Sequence, residues 1–108
     1  MESSDFYCQE VFSGKTKVEI VEETSTILAF HHTKPAYEFH IVIVPRIHVA
    51  RLDEVKDMII IKEIFEIAKK VIIRFGLYET NFRIITNGGS FQDSMHLHFH
   101  LVSGDKLK

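Results

Sequence analysis

Three histidines alternate with apolar residues near the end of the chain, and their side chains could act together on one substrate. The segment reads His96-Leu97-His98-Phe99-His100-Leu101-Val102. Successive side chains of a β-strand lie on opposite faces of the sheet. A strand here would therefore place all three imidazoles on one face and the apolar side chains on the other. The apolar face can pack against a helix, which leaves the imidazoles together on the opposite side.

Three interpretations fit this spacing. The imidazoles could simply face solvent, although histidine is not a favoured residue on strand surfaces, which makes this interpretation the weakest. Two of them could bind zinc, with a third ligand from His40, His48 or Cys8. Alternatively, one imidazole could attack phosphorus while its neighbours bind the phosphate oxygens. The residue types and their spacing leave the metal site and the nucleophile open.

The composition is that of one globular domain. The chain has 108 residues, 45% hydrophobic and 26% charged, so we interpret residues 1–108 as a single domain with a packed core. The net charge of -2 provides no basic surface for a nucleic-acid duplex. A site for one small phosphate compound stays open, because it needs only a few local donors.

The cysteine content and the hydropathy of the chain indicate the cellular compartment in which the protein is expected. The chain has one cysteine, Cys8, which excludes an internal disulfide and is compatible with a reducing compartment. The first five residues show no signal-peptide pattern, and the longest apolar runs, 41–45 and 58–61, are too short to span a membrane. We therefore expect a cytoplasmic protein that does not associate with membranes.

Apolar patterning predicts an α+β domain with a mainly antiparallel sheet. Strands are predicted at residues 17–22, 27–31, 37–45, 81–86 and 95–102. A short helix is predicted over residues 6–12, before Gly14, and a long one over residues 53–75, before Gly76. In the third strand, His40, Val42 and Val44 share one face.

The long helix is apolar over more than the width needed to cover one sheet. Its apolar residues form two adjacent stripes: Ile61, Phe65, Ala68, Ile72 and Phe75 in one, and Ile60, Ile64, Ile67 and Val71 in the other. Such a helix has two apolar partners, its own sheet and something else. A second copy of the chain is the simplest candidate, so we expect a homodimer.

Together these segments resemble the histidine-triad (HIT) family, in its Hint-like branch or a bacterial-type relative. Residues 96–102 match the family signature His-φ-His-φ-His-φ-φ, in which φ is apolar, at every position. The block from Leu28 to His48 resembles a second landmark, Leu-Ala-Phe followed by a proline and a histidine that opens a strand into Pro-Lys-x-His. Residues 8–14 fit the N-terminal Cys-x-x-Ile/Val-x-x-Gly pattern.

The resemblance implies a HIT-like fold and a reaction. The fold would be a five-stranded, mainly antiparallel sheet with one long helix and a short N-terminal helix, usually as a homodimer. His98 would be the nucleophile that cleaves nucleoside phosphoramidates, acyl-nucleotides or dinucleoside polyphosphates through a nucleotidyl-histidine intermediate. The expected ligand is a small nucleotide, most simply a purine nucleoside phosphate. His100 and His40 would donate hydrogen bonds to the phosphate, and His96 would lie one step behind.

The resemblance also implies further substrate contacts, with departures from the family pattern. Asn87 and Gln92 occupy substrate-contacting positions, and Phe30 would help form the base pocket. Asp93 stands where the family has a serine that supports the leaving group, and Ser94 follows one residue later. His32 replaces the acid that usually holds the ribose hydroxyls. These changes leave the nucleophile in place and bear on substrate identity.

A family zinc site is implied only in part. The positions that bind zinc in some bacterial-type members are occupied here by Asp5, Cys8, His48 and His96. Because one thiolate of that site is replaced by a carboxylate, we favour the interpretation that Cys8 is a small buried residue and that no cofactor is required.

Three functional hypotheses follow, in order of preference. The first is a nucleotide hydrolase or nucleotidyl transferase that uses His98. The second is a nucleotide-binding interaction module with little turnover, which the changes at Asp93 and His32 would favour. The third is a metal-dependent hydrolase that uses the histidine face, for which sensitivity to chelators is expected.

Overall fold

The structure, a computed structural model, describes residues 6–107, which form one five-stranded antiparallel sheet. The strand order is β1-β2-β3-β5-β4. The bounds are β1 Ile20–Glu23, β2 Ile27–His31, β3 Tyr37–Pro45, β4 Arg83–Thr86 and β5 Phe99–Lys106, with α1 Ile59–Phe75 between β3 and β4. A short N-terminal helical turn spans Tyr7–Val11. The predicted fold, an antiparallel five-stranded sheet with one long and one short helix, is confirmed.

The two faces of the sheet have different partners. On one face, Ile41 and Ile43 of β3 pack with Leu101 of β5 against α1. On the other, Val42 and Val44 pack with residues of β2 and of the N-terminal turn. The predicted alternation of side chains along β3 is therefore confirmed, and the face opposite α1 is the one that carries the histidines.

The last strand lies further along the chain than predicted. It spans Phe99–Lys106 and not residues 95–102, and it extends to a pair between Tyr37 and Lys106. Residues 96–98 precede the strand, and the backbone N–H of Leu97 donates to the carbonyl of Val49, at 2.7 Å, in the loop after β3. The polar residues 103–106, outside the predicted strand, belong to β5 because β3 is long enough to pair with them.

The start of α1 was also predicted wrongly. The helix begins at Ile59 and not at residue 53, because residues Leu52–Glu54 form a separate 3₁₀ turn and Val55 is extended. The carboxylate of Asp57 accepts the backbone N–H of Ile59, at 3.0 Å, which supports a helix start here. The predicted end is confirmed, since Gly76 has a φ of 63°, a left-handed conformation that favours glycine.

Two strand starts differ from the predicted ones, β1 beginning at Ile20 and β4 at Arg83. None of the helices in residues 6–107 combines the length and the apolarity that a bilayer crossing requires.

Candidate active site

A cleft of about 250 Å³ opens on the histidine face, between the N-terminal turn, the loop after β2 and the segment before β5. Its floor is apolar and consists of Tyr7, Phe30 and Val42, which are only 5%, 1% and 1% exposed. Its rim includes the exposed side chains of Lys34 and Asp93. The cleft therefore has a buried apolar floor for a ring and an open polar rim.

His98 lies at this cleft with one tautomer fixed by the backbone. Its Nδ1 is 2.7 Å from the carbonyl oxygen of His96. Because a carbonyl oxygen can only accept, Nδ1 carries the proton and the lone pair of the neutral ring is on Nε2. The hydroxyl of Thr86 donates to the carbonyl of His98, at 2.9 Å, and ties this residue to β4. This is the arrangement that an attacking imidazole requires.

His40 and His100 form a directed chain of hydrogen bonds. The backbone N–H of Ala36 donates to Nδ1 of His40, at 3.0 Å, so the proton of the neutral His40 ring is on Nε2. That Nε2 donates to Nδ1 of His100, at 2.8 Å. The remaining proton of His100 is then on its Nε2. His100 lines the cleft as an N–H donor, whereas the structure places His40 behind it, outside the cleft lining.

Burial keeps these rings neutral. It lowers the pKa of His40 to about 4, with a smaller contribution from the nearby His32 ring. It lowers the pKa of His100 to about 3, helped by the neighbouring imidazoles, of which His98 contributes most. Burial also lowers the pKa of His32, an effect that the carboxylate of Asp93 partly opposes. At neutral pH, His40 and His100 therefore donate as uncharged N–H groups.

Acidification is expected to destabilise the fold through His40 and His100. An unfolded histidine has a pKa of about 6.5. Below that pH the unfolded chain binds protons at these two histidines, whereas the folded chain does not bind them until its rings protonate near pH 4 and pH 3. Over this range, lowering the pH therefore lowers the free energy of unfolding. The melting temperature should thus fall as the pH drops from 7 towards 4. His100→Gln should make this fall shallower, and an equally steep fall in that variant would contradict the assignment.

His96 lies one step behind His98, next to Cys8 and His48. It is fully buried, and its Nε2 donates to the carbonyl of Pro45, at 2.8 Å, which leaves the lone pair on Nδ1. This Nδ1 is 3.4 Å from Sγ of Cys8, and Nδ1 of His48 is 3.9 Å from the same sulfur. Three potential ligand atoms thus lie within 4.8 Å of one another.

The donor set of this cluster suits zinc. In a tetrahedral site with bonds of about 2.0–2.3 Å, ligand atoms are about 3.3–3.8 Å apart, close to the separations seen here. The carbonyl that orients His96 is a typical outer partner of a ligating histidine. Cys8 is half-buried and not the fully buried residue favoured from the sequence. The fourth predicted ligand, Asp5, lies outside the described residues.

A second group of close nitrogens is less suited to a metal. Ligand atoms of His32, His40 and His100 also lie within 4.8 Å of one another. However, Nδ1 of His32 accepts the backbone N–H of Lys34, at 2.9 Å, as His40 accepts that of Ala36. Their lone pairs are therefore used already, and the group presents N–H donors.

The predicted substrate contacts are only partly brought together. Phe30, His32, Asp93 and Ser94 line the cleft with His98 and His100. Gln92 lies outside the lining, where its side-chain N–H groups donate to the carbonyls of Ala50, at 2.6 Å, and Ser94, at 2.9 Å. It holds two loops together.

Asn87, also predicted to contact the substrate, directly follows β4 and is half-buried outside the cleft lining. Five lining residues were missed: Phe6, Tyr7, Thr33, Lys34 and Val42. Three had a signal in the sequence, since Val42 shares the strand face of His40, and Thr33 and Lys34 directly follow His32, whereas Phe6 had none. Tyr7, whose ring centre is 5.1 Å from that of His98, had none apart from its position beside Cys8.

Comparison with known proteins gives consistent similarities over nearly the whole chain. The family model described as HIT domain matches residues 13–107. An uncharacterized HIT-like protein of Rickettsia prowazekii is 32% identical over 109 residues, covering 91% of this chain and 86% of that protein. One of Buchnera aphidicola subsp. Baizongia pistaciae is 29% identical over 103 residues, covering 92% of each.

Solved structures give the same result. A histidine triad protein from Clostridium difficile superimposes with a TM-score of 0.85 at 33% identity, covering 100% of this chain and 97% of that one. A HIT family hydrolase from Legionella pneumophila has a TM-score of 0.85 at 29% identity, covering 97% and 96%. The sequence comparison and the structure comparison therefore both find similarity to HIT proteins.

Proposed function

The chain belongs to the histidine-triad family, and from that premise we propose that it is a nucleotide hydrolase or nucleotidyl transferase that uses His98. Its substrates would be nucleoside phosphoramidates, acyl-nucleotides or dinucleoside polyphosphates. The observation that carries the proposal is the hydrogen bond from Nδ1 of His98 to the carbonyl of His96. It places the lone pair on the ring nitrogen that an attack on phosphorus would use.

The first half of the reaction forms a covalent bond to the enzyme. The base, a purine in the simplest case, packs on the apolar floor with Phe30 and Val42, and the phosphate lies beside His98 and His100. Nε2 of His98 attacks phosphorus, and the bond to the leaving group breaks with its electron pair on the departing atom. The N–H of His100 donates to a phosphate oxygen as negative charge develops there.

The second half regenerates the enzyme. Water attacks the phosphorus of the nucleotidyl-histidine, a P–O bond forms, and the P–N bond to His98 breaks. The products are a nucleoside monophosphate and a neutral imidazole, and the water protons pass to solvent. Transfer to another acceptor in place of water would follow the same course.

Two of the predicted catalytic histidines would act through others. His40 donates to Nδ1 of His100 and so determines which nitrogen of His100 carries the donor proton. His96 determines the tautomer of His98 through its backbone carbonyl. Both are positioning residues in this proposal.

No metal is required in this proposal. Zinc, where bound, would be held by Cys8, His48 and His96 and would cross-link the N-terminal turn to the segment before β5. The attacking atom belongs to His98 and the donated proton to His100, and neither step needs an ion.

The test is incubation with adenosine 5′-phosphoramidate, with AMP release and the intact protein mass followed with and without a chelator. Release in both conditions, with a transient gain of one nucleotidyl group, is the expected result. Binding without release would instead identify a nucleotide-binding module. Release that a chelator abolishes would identify a metal-dependent hydrolase.

We also propose a homodimer formed through α1. Its apolar residues extend past the sheet, since Phe65 and Phe75 are 44% and 39% exposed while Ile64 and Val71 are buried. Sedimentation at micromolar concentration should show a dimer, and Phe65→Glu should shift it to a monomer because a carboxylate is costly to bury. A monomeric wild-type protein would contradict the proposal.

The cytoplasmic location stays a prediction, for which fractionation of cells that express the protein is the check. Recovery in a membrane or secreted fraction would contradict it.

A further inference from the structure

The rim of the cleft carries a negative charge close to the nucleophile. Oδ1 of Asp93 lies 3.8 Å from Nε2 of His98, and the Asp93 side chain is 92% exposed. Among the described residues that line the cleft, the acidic and basic side chains are Asp93 and Lys34. The imidazoles of His40 and His100 are neutral at pH 7 because burial lowers their pKa values to about 4 and about 3.

The position of Asp93 relates it to the leaving group. A phosphorus atom poised for attack lies about 3–3.5 Å from the nucleophilic atom, so the substrate phosphate has to lie within a few ångströms of Asp93. The nucleoside occupies the apolar floor, where Phe30 and Val42 are each 1% exposed. A leaving group that points away from this floor would extend to the open rim, which includes Asp93.

We propose that Asp93 selects substrates by the charge of their leaving group, favouring nucleotidyl compounds whose leaving group carries an ammonium. Such compounds include the phosphoramidates of diamines and nucleotides acylated by amino acids. Dinucleoside polyphosphates, whose leaving group is polyanionic, are disfavoured. This inference rests on the proposed function, since it names the substrates of the same site.

The substrates compared here differ in the charge of their leaving group. Every substrate brings the same transferred phosphate, and His100 and Lys34 are the same in every Asp93 variant, so a change of selectivity between these variants reports on Asp93. The carboxylate of Asp93 attracts a cation on the leaving group and repels an anion there. At separations of about 5 Å and an ionic strength of about 0.1 M, reversing the sign of that charge changes the rate about tenfold.

The chemical step remains the one described above. For a phosphoramidate, the bond between Nε2 of His98 and phosphorus forms as the P–N bond of the substrate breaks. The leaving amine departs with the electron pair and takes a proton from water. The distal ammonium stays intact throughout, and Asp93 only interacts with its charge.

Three adenosine 5′-phosphoramidates that differ only in the distal group of the amine provide the test. Aminoethyl, propyl and carboxyethyl amides carry a cationic, a neutral and an anionic end on an alkyl-bonded nitrogen. The readout is the ratio of kcat/KM for the cationic and the anionic compound, measured at low and at high salt. Intrinsic differences between the amines cancel when this ratio is compared between variants.

The variants are chosen to separate charge from folding. Asp93→Asn is expected to lower the ratio about tenfold, and Asp93→Glu to keep most of it. Glu79→Gln removes an equal charge from an exposed position outside the cleft lining and should leave the ratio unchanged. In the wild type the ratio should shrink at 1 M salt, where screening acts over about 3 Å.

An unchanged ratio in a folded Asp93→Asn variant would overturn the inference. The proposed function would still stand in that case, provided that the wild type releases AMP from the neutral propyl compound. Failure of the wild type to release AMP from all three compounds would instead refute the proposed function, and the inference with it.

Discussion

Replacing His98 with asparagine is expected to lower kcat/KM for a nucleoside phosphoramidate by at least about a thousandfold and to abolish the covalent intermediate. The lone pair of a carboxamide nitrogen is delocalised into its carbonyl, so it does not attack phosphorus. Asparagine is nevertheless small and polar enough for a position that is 4% exposed. Steady-state AMP release and intact mass in a single turnover are the two measurements.

A matched substitution shows whether the loss is specific to this position. His31→Asn changes a half-buried histidine at the end of β2 that does not line the cleft, and we expect it to retain turnover. Wild-type melting behaviour of the His98→Asn protein would exclude misfolding as the cause. Adduct formation that persisted in His98→Asn would place the nucleophile elsewhere and contradict the proposed function.

Replacing His100 with leucine is expected to lower kcat by about a hundredfold to a thousandfold, the effect of removing one preorganised donor to a developing oxyanion. His100 presents its N–H because the backbone of Ala36 and the ring of His40 have set the direction of the hydrogen-bond chain. Leucine removes the donor and also leaves Nε2 of His40 without its acceptor. The latter should lower the free energy of unfolding by about 1–3 kcal/mol.

Replacing His100 with glutamine tests whether the hydrogen-bonding groups of His100 account for the effect of the leucine substitution. The glutamine side chain has an oxygen that can accept from His40 and an amide N–H that can donate to phosphate. We therefore expect it to retain more of kcat than leucine does. If leucine raised KM and left kcat unchanged, His100 would contribute to ground-state binding alone, and its role at the developing charge would be wrong.

Local patterning was sufficient for several elements of the fold. The bounds of β2 and β3 coincide with the predicted ones because both are rich in apolar residues and lie between polar turns. Gly76 ends α1 where predicted because a left-handed residue is needed there. The separation of imidazoles from apolar side chains over residues 96–101 follows from alternation alone, and Leu97, Phe99 and Leu101 do pack with α1.

Elements that depend on distant partners were predicted less well. The residues after Val102 are polar and give no strand signal, yet they extend β5 because Tyr37 and Phe39 of β3 are available for pairing. The segment 96–98 was predicted as a strand, but it precedes β5, and the backbone N–H of Leu97 donates to the carbonyl of Val49 in the loop after β3. The residues before α1 are compatible with a helix, but Leu52–Glu54 form a separate 3₁₀ turn. The helix begins only after Asp57, whose carboxylate accepts the backbone N–H of Ile59.

By itself the sequence determined which residue types would share one face of the sheet, and through its resemblance to a family it indicated the reaction. Only the tertiary structure decided what each histidine can do. Whether an imidazole attacks, donates or positions another depends on which nitrogen carries the proton. That is set by the carbonyl of His96 for His98, and by the N–H of Ala36 for His40 and His100. A tautomer depends on what the ring meets in space, so no spacing along the chain can specify it.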